Sequence, residues 1–193
     1  GWGLTFPQAA PNEAAASNSI DVFLCPSDQE GVPGQNFGAI SYPACTGSGT
    51  VSSGSSTAAD GVIFTRSKIR FADVTDGTSN TAIFSESVQG DGMNAVPVTA
   101  IERQRRTIEL TLGTPTTPAA CAGGAAWSGL RGAKWINGHY ADTLYNHFYG
   151  PNSATPDCNN GFHSHALVSA RSMHAGGVQV ALGDGKVRFV SEN

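Results

Sequence analysis

The chain of 193 residues carries five histidines, four cysteines and 15 Asp and Glu side chains, the types from which metal centres and acid–base sites are built. His163 and His165 stand two apart, so on a strand they share a face, and Asp157 and Cys158 lie just upstream. This set has the donor types of a zinc site, but a metal on Cys158 excludes a disulfide there, and the residues read as polar loop positions. Asp73 and Asp76, with Glu86 downstream, offer oxygen ligands for Ca2+ at a spacing that is not that of an EF-hand loop. His139 and His147 stand alone. There is no Gly-x-Ser-x-Gly elbow, no His-Glu-x-x-His, no Walker or dinucleotide loop and no identifiable carboxylate pair. The reading is of a protein that is not an enzyme, with no catalytic residue, no metal ligand set and no cofactor, Ca2+ being the one ion left open.

The most structured stretch is "HAGGVQVALGDGKVRF", His174 to Phe189. Asp184-Gly185 between alternating apolar residues is a hairpin signal, because a two-residue type I′ turn needs positive φ at both positions. That turn predicts Leu182 opposite Val187, Val180 opposite Phe189 and Val178 opposite Ser191, with the apolar face toward a core. An extended strand puts roughly 25–30 Å between His174 and Asp184, at about 3.3 Å per residue, so they do not share a metal. His174 reads as a structural residue whose ring hydrogen-bonds backbone or a nearby side chain. Gly176 and Gly177 after it predict close backbone approach or positive φ.

The elements that must position these residues are short strands. Strand patterns appear at Ser19–Asp28, Phe37–Cys45, Gly61–Thr65, Lys68–Val74, Asp142–Asn152 and His165–Met173, while 46–60 reads as a Gly/Ser loop. Asp76 or Thr78 can cap one helical turn before "TAIFSES", which continues as strand or helix. The segment 98–113 has helix formers in its middle and a β-like end, and 114–124 reads as loop. The fold class predicted is mainly β: an antiparallel β-rich head, one globular domain over 1–193, with a C-terminal hairpin and short helices.

Composition narrows the function. Only 13% of residues are charged, 24 are Gly and the net charge is −4, so nucleic acid is not a partner. No basic run suggests a membrane surface, and no stretch approaches 18 consecutive apolar residues. Cys25, Cys45, Cys121 and Cys158 form no Cys-x-x-Cys pair. An even count in a charge-poor, Gly- and Ser-rich chain suits an oxidising compartment. Of three connectivities, Cys25–Cys45 with Cys121–Cys158 closes local loops and is the one predicted, buried free thiols being the alternative.

Five motifs occur in a telling order: "FLCPSD" (23–28), "DGVIF" (60–64), "FADVTDGTSNTAIFSE" (71–86, with Asp76, Gly77 and Asn80), "LYNHFYGPNSATPDC" (144–158) and "SARSMHAGGVQVALGDGKVRFV" (169–190). Together they resemble the DUF1559 family, the prepilin-type H-X9-DG proteins abundant in planctomycetes. His174, nine residues, then Asp184-Gly185 fit that pattern, with Ala175 where Pro is usual. The resemblance implies a relative of type IV pilins and type II secretion pseudopilins, with a cleavable leader, a long hydrophobic helix and a β-rich head. This chain begins at Gly1 and reads as the distal head of such a protein, touching membrane only through that absent helix. The implied role is a filament or surface-assembly subunit, extracellular or periplasmic, whose partners are copies of itself or other pilin-like subunits. The family also carries a solute-binding label, so the alternative is an extracellular solute- or glycan-binding module, for which Trp2, Trp127, Trp135, Tyr140, Tyr145 and Tyr149 are the candidate aromatic platform.

Overall fold

The computed structural model describes residues 10–193. Nine strands follow in chain order: β1 (Ala44–Cys45), β2 (Ala82–Ser85), β3 (Thr107–Leu110), β4 (Ala126–Ser128), β5 (Leu144–Tyr145), β6 (Cys158–Asn160), β7 (Ala166–Leu167), β8 (Gly177–Leu182) and β9 (Val187–Ser191). Three short helices accompany them: α1 (Ala10–Ala16), α2 (Ala100–Arg105) and α3 (Pro118–Ala122). The strands form a five-stranded sheet ordered β5-β1-β2-β8-β9 and a four-stranded sheet ordered β4-β3-β6-β7. The molecule is mainly β. Both sheets are mixed, since β1–β5 and β3–β6 pair in parallel.

The hairpin forms in a different register from the type I′ expectation. Ala181 lies opposite Val187, Val180 opposite Arg188, Gln179 opposite Phe189 and Val178 opposite Val190. The loop has three residues, not two. The Gly185 N–H donates to the Leu182 carbonyl, the Leu182 N–H donates to the Lys186 carbonyl, and Gly185 sits at φ +83°. That is a type I turn closed by a left-handed glycine, the next commonest hairpin connection. The extra residue moves each side chain of β9 to the other face. Val187 and Phe189 therefore join Gln179 and Ala181 on the outer face.

The inner face of the five-stranded sheet carries Val178, Val180, Leu182 and Cys45, packed with Tyr140, Tyr145, Ala166 and Val168 in the larger core. Each large aliphatic side chain buried there contributes about 1.5–3 kcal/mol. A smaller core of Ile108, Leu110 and Leu167 surrounds the Cys121–Cys158 disulfide.

The other predicted bridge, Cys25–Cys45, does not form; both thiols are buried and free. The Ser41 N–H donates to the Phe23 carbonyl at 2.7 Å and so pins the Cys25 loop beside residue 41. Cys45 lies four residues further on, about 13 Å in extended chain, and turns into the larger core.

Other elements differ from the pattern reading. Ser19–Asp28 is a 3-10 turn (Asp21–Phe23) and irregular chain, and Lys68–Val74 holds another 3-10 turn (Phe71–Asp73). The segment 114–124, read as loop, contains α3. Thr117 caps it by accepting from the Ala120 N–H, and Pro118 takes the first helical position.

Candidate functional site

At the end of β2 and the entrance of β8, three chemically capable side chains converge. The His174 Nε2 lies 3.0 Å from Glu86 Oε1 and 3.7 Å from Cys25 Sγ. The three donor atoms all stand within 4.8 Å of one another, and among the described residues this is the one group of three His, Cys, Asp or Glu so placed. Cys25 and Glu86 are buried, while the His174 side chain keeps 38% of its exposure, so the cluster opens to solvent on the histidine side.

Each member is held from its own segment. Cys25 opens the Cys-Pro-Ser-Asp turn, in which the Asp28 N–H donates to the Cys25 carbonyl. Asp28 accepts from the Arg105 guanidinium at 2.6 Å and from the Gln89 N–H at 2.7 Å, so the "FLCPSD" loop is locked down. Glu86 continues β2 after Phe84 and Ser85. Strand alternation returns it to the outer face with Phe84. Its Oε2 accepts the Gln179 N–H at 2.7 Å, which aims Oε1 at His174. Its carbonyl accepts the Arg171 N–H, tying β2 to the segment that leads into His174. The His174 N–H donates to Ser172 Oγ. Tyr42 faces the same group: burial first, then the neighbouring Cys25 and Glu86, push its phenol up to about 12.

The remaining motif residues build frame around this cluster. Gly176 has φ +85°, and a side chain on Gly177 would run into the Val190 carbonyl and the Phe189 ring. Asp184, at the far end of β8, accepts the Lys186 N–H and stabilises the turn. The nine residues between His174 and Asp184 are thus the length of β8 plus its approach. Gly77 has φ +83° and the Asn80 amide donates to the Asp76 carbonyl, shaping the 3-10 turn (Thr78–Asn80) before β2. Arg171 and Arg131 enclose Asp157 at 2.8 and 2.5 Å, all three buried. Burial opposes charge on Asp157, but the two guanidinium groups outweigh it and hold the carboxyl below its usual range.

The other groupings drawn from the sequence do not assemble. Cys158 is in a disulfide and Asp157 is taken by arginines, which leaves His163 and His165 without them. His163 pairs with Glu109 at 2.8 Å. Asp73 pairs with Arg70, and Glu86 points elsewhere, so Asp73, Asp76 and Glu86 form no oxygen cage. The aromatic platform is also dispersed. Tyr140 and Tyr145 are core residues, Trp127 and Tyr149 pack on the smaller core, and Trp2 lies outside the described residues. The pairing of Glu86 with Cys25 and His174 had no signal in spacing, since 61 and 88 residues separate Glu86 from its partners; all three nevertheless fall inside the recurring motifs.

One family model matches residues 4–193, and its description is protein of unknown function, DUF1559 (SBP_bac_10). No curated protein and no solved structure matches the chain.

Proposed function

Because the chain belongs to the DUF1559 family, we propose that it works as a non-enzymatic, exported subunit of a pilin- or pseudopilin-like filament or surface assembly. One observation carries this reading: among the described residues, the outer face of the five-stranded sheet presents an exposed apolar band. Ala44, Phe84, Ala181 and Val187 lie in line across four strands, with Phe189 beside them. Phe84, Val187 and Phe189 are 40, 63 and 50% exposed. A contiguous apolar patch of this kind is characteristic of an interaction surface. A neighbouring pilin-like subunit is the proposed occupant. The Cys121–Cys158 disulfide fits an exported head, and among the described residues no helix is long and apolar enough to cross a membrane.

The alternative, a solute- or glycan-binding module, draws on a cleft beside the same face. Phe23, Tyr42, Phe84, Trp135 and Leu144 line a space of about 560 Å³, a volume within the usual ligand range. Its lining has few hydrogen-bonding groups besides Tyr42 and Thr143, which suits a protein surface better than a sugar. Electron microscopy of the full-length protein tests the first reading. Filaments or ordered surface arrays that disappear in a V187K/F189K double variant support it. A full-length protein that stays dispersed while the 193-residue head retains glycans on an array refutes it. The head alone is expected to be monomeric or weakly associated by light scattering.

A further inference from the structure

The geometry points to a zinc site formed by Cys25 Sγ, Glu86 Oε1 and His174 Nε2, with its fourth position open to solvent. The inference is independent of the assembly reading. Around tetrahedral zinc, with bonds of about 2.3 Å to sulfur and about 2.0 Å to nitrogen and oxygen, neighbouring donor atoms stand roughly 3.3–3.6 Å apart. The separations of 3.7 Å (sulfur to nitrogen) and 3.0 Å (nitrogen to oxygen) need adjustments of only a few tenths of an ångström, and the sulfur-to-oxygen separation, which is no more than 4.8 Å, closes to about 3.6 Å by rotation of the two side chains when the ion binds.

The arrangement is not that of a cysteine nucleophile. A Cys–His–acid relay places thiol and carboxylate on opposite ring nitrogens, so that the acid orients the base. Here both contacts fall on Nε2. A single ring nitrogen carries at most one proton and cannot serve both partners well, whereas one cation at the centre satisfies all three donors.

The donor set selects the ion. A thiolate beside an imidazole suits zinc and disfavours Ca2+ or Mg2+, which take all-oxygen shells. The supporting contacts are those of a metal site as well: the Gln179 N–H fixes the free oxygen of Glu86, and Tyr42 packs against the donors. Zinc here would tie the loop after the first 3-10 turn, the end of β2 and the entrance of β8 to one point.

The test uses the reduced, metal-stripped 193-residue chain titrated with Co2+ as a spectroscopic stand-in and with Zn2+ by calorimetry. One ion per chain is expected, with a near-ultraviolet thiolate-to-cobalt band and the intense visible bands of tetrahedral Co2+. C25S abolishes the near-ultraviolet band, E86Q weakens binding by more than about tenfold, and C45S, which removes the other free thiol, changes neither. The wild-type spectrum alone reports sulfur ligation, so the outcome stands even where a variant fails to fold. No binding by the folded wild-type chain, or a thiolate band that survives in folded C25S and vanishes in C45S, overturns the inference.

Discussion

Removing the His174 ring leaves the buried Oε1 of Glu86 without its partner at 3.0 Å. H174A is therefore expected to lose about 1–3 kcal/mol in chemical denaturation measured without added metal, the usual cost of stranding a buried polar group. A variant as stable as the parent would mean that Glu86 is solvated some other way.

A second effect at this scale concerns Asp142, which is buried, and His139, which is half-buried, both in contact with the Asn137 amide. Burial pushes the Asp142 carboxyl up to about 7 and the His139 imidazole down to about 4. Asp142 holds its proton more tightly folded than unfolded, where its value is 3.8. Its contribution to stability is present at low pH and is lost as pH rises toward about 7. His139 does the reverse: its contribution is present above its unfolded value of 6.5 and is lost as pH falls toward about 4. The two slopes oppose each other in the wild-type chain. D142N should make stability rise with pH between about 4 and 6.5 relative to wild type, and H139Q should make it fall across about 4 to 7. Each slope is bounded by about 1.4 kcal/mol per pH unit for one proton. Denaturation midpoints measured across that range, with the two variants changing in the same direction, would show the assignment to be wrong.

Among the elements, what could be read in advance followed from local chemistry. The alternation at Val178, Val180 and Leu182 announced β8, and the Asp184-Gly185 pair announced its turn. The register is not legible there, because Gly183 joins the loop and the glycine that closes a three-residue loop looks the same in sequence as one inside a two-residue turn. α3 lies in a stretch whose Gly, Pro and Thr content reads as loop, although Thr117 and Pro118 spell a helix start. The Cys121–Cys158 bridge follows from loop length, whereas Cys25 and Cys45 are nearer still in sequence but point into different surroundings. Replacing both bridged cysteines by serine should cost about 2–4 kcal/mol, read as a shift in denaturation midpoint at unchanged slope. A shift under about 1 kcal/mol would show that the smaller core holds α3 to β6 without the bond.

For the molecule as a whole, the strand-rich class was legible in Gly and Pro punctuation and in the lack of helical periods. The meeting of Cys25, Glu86 and His174 was not, because it depends on β2 pairing with β8 across nearly a hundred residues. The exposed outer sheet face carries its own prediction. V187K/F189K should leave the isolated head folded, with a thermal midpoint within a few degrees of the parent, since exposed substitutions typically change stability by no more than about 0.5 kcal/mol. A large loss of stability would mean that these side chains already have a partner within the head.

The disulfide has one more consequence, topological in kind. Cys121 and Cys158 close a covalent ring, and that ring contains β4 of one sheet and β5 of the other. Backbone cleavage at a single bond inside the ring, for example in the loop around Ala154 and Thr155, opens the ring without releasing any piece. Such a nicked head keeps the mass of one intact chain plus one water and separates into two fragments only after reduction. A single cut outside the ring instead leaves two pieces joined by no covalent bond, held together by sheet pairing and packing alone.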